Sequence, residues 1–225
     1  MAKDNEINNE SIREEVSENI EKKYRNFEDL MINILRKIDY INPEDIPNID
    51  LYMDQVTTFV DEQLASLKRF DDDKMLTKTM INNYTKSNLL PPSNKKKYSK
   101  DHMILLIYIY YLKSVLPISD IKEIINPLTD KFFKTDKDID LSQIYDIIFQ
   151  IEKNNSRTIT KDIFNKYKFA NKTFEDMDDD NEDKQFLVDY SFICMLCFDV
   201  YIKKTMIEKL IDESILRKYT NNKEE

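Results

Sequence analysis

Lysine, asparagine and threonine side chains are concentrated in residues 74–100, where together they suit contacts with a polyanion. This stretch contains seven lysines and no Asp or Glu, whereas the 225-residue chain has a formal net charge of -9. A cationic surface on an acidic protein concentrates the attraction for polyanions on one face. Asn, Thr and Lys can also hydrogen-bond to base edges and phosphates in a major groove. We therefore expect a nucleic-acid binding site here; a solvated lysine-rich face is the alternative.

A capped helix is expected to hold the first group of these side chains. Thr77 is suited to cap a helix that runs from Lys78 to about Lys86, because its hydroxyl can accept a hydrogen bond from a free amide of the first turn. Ile81 and Tyr84 have the spacing of core-facing positions, which leaves the lysines, threonine and asparagines toward solvent.

The segment after this helix has an order that indicates a winged helix-turn-helix. Pro91 and Pro92 stop the helix. A short basic loop, residues 93–97, then leads to Tyr98, and Ser99 is suited to cap an apolar helix. In a winged helix-turn-helix a recognition helix enters a groove and the wing contacts the backbone.

The residues Thr77–Tyr84, Asn88–Pro92 and Tyr98–Ser99, in this order, resemble the signature of the MerR-type winged-helix domain. Met53–Val56 is suited to open the first helix of its helix-turn-helix, and Ile118–Ile125 resembles the short helix that follows the wing in that family. The resemblance covers about residues 50–127. The overall layout of the chain also resembles that of a group of small cytosolic bacterial proteins regarded as regulators.

The chain departs from the family pattern in four ways. Asn88 stands where the family has glycine, and Asn also adopts left-handed conformations. The paired arginines of the recognition helix are absent, the wing is short, and about ten extra residues near 67–74 separate the first two helices.

The resemblance implies a sequence-specific DNA-binding regulator that acts on double-stranded DNA as a homodimer with an unknown effector. A protein-interaction adaptor that retains a winged-helix shell without binding DNA is the alternative. The residues expected to contact DNA or to support the contacts are Lys78, Thr79, Asn82, Asn83, Tyr84, Lys86, Lys95, Lys96, Lys97 and Tyr98.

Other residues with chemical potential give weaker patterns. Cys194 and Cys197 fall on one helix face, but zinc needs two further ligands and His102 is the chain's one histidine; free cysteines are also typically buried. An acidic run at 176–182 resembles the start of a calcium loop but lacks the required Gly and Glu. We therefore expect no metal and no cofactor. For His102, a phosphate contact and a positional role at the core edge are both open.

No enzymatic function is expected. The sequence has no glycine-rich phosphate loop and no visible nucleophile–base pair, and its many carboxylates give no reason to select two of them.

Composition predicts a nearly all-α protein with at most a small β wing. The chain is 41% hydrophobic and contains no glycine, so tight primed hairpin turns, which need positive φ, are disfavoured. An apolar helix in residues 103–115 should lie at the centre of the core, since it is hydrophobic on all sides.

Three regions are expected along the chain. Residues 1–41 form an N-terminal helical segment, 50–127 the MerR-like winged helix-turn-helix, and 129–225 a C-terminal helical domain for dimerisation or effector binding. The N-terminal seam, suited to packing on a helix of the same chain or of a second copy, consists of Ile20, Tyr24, Phe27, Met31, Ile34 and Ile38.

The C-terminal region is predicted to contain three helices. One begins after Asp140 and carries Ile144, Ile147, Ile148 and Ile151, a second covers Thr160–Phe169, and a long apolar one follows the acidic loop.

A cytoplasmic location without membrane contact is expected. The first fifteen residues are polar and acidic, and the apolar run 103–112 is too short to span a bilayer.

Overall fold

The computed structural model describes residues 27, 29–30, 32–34, 41–70, 72–178 and 182–213. After an irregular connection at 41–50, the elements are β1 (Leu51–Tyr52), α1 (Met53–Gln63), a short 3-10 turn (Ala65–Leu67), α2 (Lys78–Lys86), β2 (Lys97–Tyr98), α3 (Lys100–Leu112), α4 (Ile118–Phe132), α5 (Leu141–Thr173) and α6 (Glu182–Asp212). The prediction of a nearly all-α protein is confirmed for the described residues.

Helix α3 forms the centre of the core, as its sequence predicts. Residues 103–107 and Ile109 are completely buried. Helices α1, α2 and α4 pack apolar side chains against this core, among them Val56, Val60, Ile81 and Ile121.

The strands β1 and β2 join the start of α1 to the segment before α3. They pair antiparallel, with Leu51 opposite Tyr98 and Tyr52 opposite Lys97. Leu51 and Tyr98 point into the core, whereas Tyr52 remains exposed. The pairing holds the basic loop after α2 against the beginning of α1.

Helix α4 is longer than predicted, because it continues through Pro127 to Phe132. The predicted boundary at 127–129 therefore falls inside a helix. The main core also includes Leu141, Tyr145 and Ile211 from the C-terminal region, and the Tyr145 hydroxyl donates a 2.6 Å hydrogen bond to the carbonyl oxygen of Ile41.

Helix α5 corrects the prediction of two separate helices after Asp140. Asp140 caps its start, with the carboxylate accepting from the Gln143 amide at 2.8 Å, and the helix then runs for 33 residues. Residues 152–159 contain no proline or glycine, and their Asn, Ser and Thr residues lower helix propensity by too little to end a helix. Ile147, on the first half of this helix, is 56% exposed.

The C-terminal half of α5 and the first two thirds of α6, residues 157–173 and 182–203, pack on each other as an antiparallel pair that we call the arm. Its own interior contains Tyr167, Ala170 and Val188. Phe27 of the N-terminal segment stacks on the Tyr167 ring at 3.6 Å between centroids and contacts Phe192 edge-on. Of the predicted N-terminal seam, Phe27 and Ile34 lie within the described residues; the other four do not.

By length and composition, residues 183–212 of α6 are apolar enough to cross a membrane, and very little of this segment is buried in the molecule. The sequence predicts this long apolar helix but, from the run at 103–112, no segment long enough to cross a membrane.

Candidate nucleic-acid interface

Helix α2 presents one polar face to solvent. Lys78, Thr79, Asn82, Asn83 and Lys86 are all exposed, and at 100° per residue they fall within one side of the helix. The opposite side is fixed, since Ile81 is completely buried and Tyr84 is 7% exposed. The Thr77 hydroxyl accepts a hydrogen bond from the Met80 amide at 3.2 Å, which confirms the predicted cap.

The C-terminus of α2 is closed by a Schellman motif at Asn88. Asn88 has φ of 57°, its amide donates to the Thr85 carbonyl at 3.1 Å, and the Leu89 amide donates to the Tyr84 carbonyl at 2.9 Å. These two bonds satisfy carbonyl oxygens that the helix end would otherwise leave free. The chain then turns sharply, and Leu89 and Leu90 enter the core.

The basic loop after the two prolines is a tight hairpin rather than an irregular loop. Asn94 and Lys97 exchange backbone hydrogen bonds of 3.0 and 2.9 Å. Lys95 and Lys96, at its tip, have φ of 48° and 64°. Positive φ at both central residues is the pattern of a type I′ turn. The expectation that a chain without glycine avoids such a turn is therefore wrong here. Two exposed lysines adopt the left-handed conformation instead.

The first residues of α1 bring the hairpin and α2 together. The Lys78 ammonium pairs with the carboxylate of Asp54. Two residues earlier, the Tyr52 ring lies under the Lys97 ammonium, 5.3 Å from its centroid. The start of α2 and the base of the hairpin thus meet at the same end of α1. Neither Tyr52 nor Asp54 was predicted as a site residue.

The start of α2 also borders an open cleft of about 440 Å³ against α1. Its lining combines hydroxyl and ammonium groups, which donate hydrogen bonds to anions. These groups belong to Thr57, Thr58, Lys74, Thr77, Lys78 and Thr79, and the lining also includes the Asp61 carboxylate. The Lys68 Nζ lies 2.9 Å from Oδ2 of Asp61. This hydrogen bond lowers the pKa of the Asp61 carboxyl.

The segment that leads into α2 is tied to the core helix α3. Met75 and Leu76 are buried. The Lys113 ammonium donates to the Met75 carbonyl at 3.0 Å, and burial lowers the pKa of Lys113. These contacts fix where α2 begins relative to α3.

His102 has a positional role beneath the hairpin. It is 1% exposed. The Ser99 amide donates to its Nδ1 at 3.0 Å, so the neutral ring carries its proton on Nε2, which lies 3.4 Å from the Pro92 carbonyl oxygen. Burial lowers the pKa of His102, and nearby Lys134 lowers it further, against the opposing effects of the Pro92 hydrogen bond, Asp101 and Asp50.

Two of the predicted site residues are core residues. Tyr84 and Tyr98 are 7% and 4% exposed, and burial raises the pKa of Tyr84. Their rings support α2 and β2 from beneath. Of the remaining predicted residues, Lys97 is half-buried by its contact with Tyr52, and the other seven are exposed.

Asp73, shortly before α2, is engaged within its own loop. The Asp73 carboxylate accepts a hydrogen bond from the Phe70 amide at 3.1 Å, and Asp72 is exposed; Asp71 lies outside the described residues. Among the ion pairs of the described residues, one joins an acidic side chain to a lysine of the predicted site, and this is the pair of Asp54 with Lys78.

The described residues around the cysteines and the acidic loop show no metal-binding geometry. Cys194 and Cys197 are exposed, contrary to the expectation of burial. Within the part of the chain that the structure describes, no three His, Cys, Asp or Glu residues are grouped as metal ligands. Residues 179–181 of the acidic run lie outside that part.

Residues 41–148 match the model of a family described as a domain of unknown function, DUF1836. The matched region contains the connection at 41–50, both strands, helices α1 to α4 and the first eight residues of α5. It therefore includes the whole candidate interface and excludes the arm. Searches of curated proteins and of solved structures returned no significant match.

Proposed function

We propose that this protein is a sequence-specific DNA-binding regulator of transcription with a MerR-like winged helix-turn-helix. In this proposal α1 and α2 form the helix-turn-helix, α2 enters the major groove, and the hairpin at Lys95–Lys96 acts as the wing. The observation that carries the proposal is that the exposed polar face of α2 lies beside an exposed lysine hairpin. Contacts with Asp54 and with the adjacent Tyr52 of β1 hold both at the start of α1.

The side chains suit separate roles in DNA recognition. Asn82 and Asn83 lie on the exposed face, midway along the length of the helix, and an amide can pair with a base edge. Lys95 and Lys96 project from the hairpin tip and suit phosphate contacts, which position a protein without reading sequence. The cleft between α1 and α2, with its hydroxyl and ammonium donors, is suited to a backbone phosphate at the start of the recognition helix.

The Lys78–Asp54 ion pair is compatible with this proposal. Both side chains are more than half exposed, so the pair contributes at most about 1 kcal/mol to stability. A phosphate can therefore replace Asp54 as the partner of Lys78 at little cost in stability.

Two substitutions separate base reading from phosphate binding. Duplexes selected by the wild-type protein from a randomised library are compared with unselected duplexes by fluorescence anisotropy. Asn82→Ala should weaken binding to the selected duplex by about 1–3 kcal/mol and change binding to random duplex much less. Lys96→Ala should weaken binding to both duplexes alike.

Lys161→Ala is the matched control, because Lys161 is an exposed lysine of the arm and should leave both affinities unchanged. If the wild-type protein enriches no sequence and Lys96→Ala has no effect on binding, the adaptor without DNA binding becomes the better account.

A further inference from the structure

Helix α5 carries a line of cationic side chains along the outer side of the arm, which we call the basic stripe. Its members follow one another at spacings of four, four, seven and four residues, and all are exposed: Lys153, Arg157, Lys161, Lys168 and Lys172. At 100° and 1.5 Å per residue they fall within about 100° of one side of the helix and span about 28 Å of its length.

Within residues 153–173 the face that carries the basic stripe contains no acidic residue. Asp162 is the one acidic residue of this segment. It lies about 120° around the helix from the centre of the stripe and pairs with Lys166. Lys166 also pairs at 2.9 Å with Asp199 of α6, so this group of charges marks the side of α5 that faces α6. The stripe is directed away from it, toward solvent, in a chain with a formal net charge of -9.

Helix α6 exposes an apolar line on the same arm, which we call the apolar stripe. Its members have spacings of four, three, four and three residues: Phe186, Tyr190, Ile193, Cys197 and Val200. Cys197 is exposed, and each of the other four is 57–65% exposed. Contiguous apolar surface is uncommon on a soluble monomer and marks a contact with a protein or a membrane.

Both stripes flank the side of the arm that holds Phe27. The Phe27 ring contacts Tyr167 of α5 and Phe192 of α6. The basic stripe is centred about 95° around α5 from Tyr167, and the apolar stripe about 120° around α6 from Phe192. In each helix this rotation leads away from the Lys166–Asp199 ion pair. Because the helices are antiparallel, equal senses of rotation open toward the same side of the pair. One flat surface on that side can therefore contact both stripes.

An anionic lipid bilayer is the surface whose chemistry matches both stripes. Lysine and arginine side chains on a helix are attracted to anionic headgroups, and exposed apolar side chains enter the boundary between headgroups and acyl chains. A nucleic-acid backbone would contact the basic stripe and leave the apolar stripe in water. An apolar protein surface would cover the apolar stripe and leave the cations without anionic partners.

The arm is suited to lie on a bilayer rather than to cross it. Residues 183–212 are apolar enough to span a membrane, but the Lys166–Asp199 pair joins α6 to α5. The basic stripe would then have to enter the hydrocarbon region, which is costly for charged side chains. Ile207 and Ile211, near the end of α6, also pack against the main core. Binding in the plane of the interface leaves all of these contacts intact.

We propose that the arm binds the surface of an anionic bilayer, with the apolar stripe inserted below the headgroups and the basic stripe in contact with them. This proposal differs from the sequence-based expectation of no membrane contact. It does not rest on DNA binding, because the arm lies outside both the candidate interface and the matched residues 41–148. Vesicle binding and DNA binding can therefore fail separately.

Cosedimentation of the full chain with sucrose-loaded vesicles tests the basic stripe. Vesicles of phosphatidylcholine alone are compared with vesicles of phosphatidylcholine and phosphatidylglycerol in equal amounts. Wild type should bind the anionic vesicles and not the neutral ones. The Arg157→Gln, Lys161→Gln, Lys168→Gln triple variant should bind the anionic vesicles about a hundredfold more weakly, because each cation at an anionic surface contributes about fivefold.

The Lys86→Gln, Lys95→Gln, Lys96→Gln triple variant is the matched control, because it removes the same charge from exposed lysines of the candidate DNA interface. It should retain the vesicle affinity of wild type. Loss of vesicle binding in this control would show a general attraction of cations and would overturn docking by the arm. The same conclusion follows if wild type binds no vesicles or binds neutral vesicles equally well, or if the variant of the basic stripe keeps its full vesicle affinity.

A tryptophan reporter tests the apolar stripe, since the chain contains no tryptophan. With anionic vesicles, Ile193→Trp should shift its fluorescence emission to shorter wavelength and be quenched by lipids that are brominated in their acyl chains. Phe70→Trp, at a 60% exposed aromatic residue outside the arm, is the control and should show neither change. An Ile193→Trp emission that does not respond to vesicles, or that is already at short wavelength without them because a second copy covers the stripe, would contradict the proposal.

Discussion

His102 connects the ionisation of one side chain to the stability of the candidate interface. Nδ1 of its neutral ring accepts a hydrogen bond from the Ser99 amide, and Nε2 faces the carbonyl oxygen of Pro92. Protonation of Nδ1 would replace that acceptor with a donor and put a charge in a buried place. The hydrogen bonds at the base of the hairpin therefore require the neutral form.

Stability is predicted to fall as the pH falls below about 6.5, the pKa expected for an unfolded histidine. Burial lowers the pKa of His102 in the folded state, so between that lowered pKa and 6.5 the unfolded chain binds more protons than the folded chain. Stability then rises with pH across this window and is complete above it. The measurement is the urea midpoint at pH 7.5 and pH 5.5.

His102→Gln is the control for this effect, because Gln at the same capping position can still accept the Ser99 amide and does not titrate. The chain has no other histidine, so the variant should lose most of the pH dependence in this window. An equal dependence in the variant would assign the effect to other groups.

At the scale of the elements, the hairpin stores strain at its charged tip. Lys95 and Lys96 both have positive φ, which costs non-glycine residues of order 1–3 kcal/mol each. The Lys95→Asn, Lys96→Gly double variant fits the turn better and should raise the free energy of unfolding by about 1 kcal/mol or more, while it weakens DNA binding through the loss of two charges.

Lys95→Ala, Lys96→Ala is the matched comparison, because it removes the same charges and keeps β-carbons at both positions. It should weaken DNA binding equally and give no gain in the urea midpoint. If the Asn-Gly variant is no more stable than this one, the turn carries no strain. If both variants bind DNA like wild type, the hairpin is not a wing.

The helices also indicate which features of the fold can be predicted from sequence. Thr77 and Asp140 cap helices through residues only three positions away, and such local signals can be read directly. The contacts of Asp54 with Lys78 and of Tyr52 with Lys97 join residues 24 and 45 positions apart, and no local pattern indicates them. The polar face of α2 was therefore predictable, whereas its attachment to α1 was not.

Two errors have physical causes of the same kind. The positive φ of Lys95 and Lys96 reflects strand pairing that overrides local preference, because β1 and the hydrogen bonds of Asn94 hold the turn closed. The exposure of Cys194 and Cys197 contradicts the expectation that free cysteines are buried. The apolar composition of α6 does not show which of its side chains the rest of the molecule covers.

At the scale of the whole molecule, the charge of the chain opposes general attraction to nucleic acid. With a net charge of -9, only a concentrated basic surface can bind a polyanion. Binding should therefore depend on lysine contacts with phosphates at α2 and the hairpin.

The most direct measurement of the central claim is the affinity of the wild-type protein for selected duplex DNA between 50 and 200 mM salt. If about six phosphates are neutralised, the affinity should fall on the order of a thousandfold over this range, and Lys95→Ala, Lys96→Ala should reduce the slope. An affinity that is weak, indifferent to sequence and nearly constant with salt would contradict DNA binding by this surface.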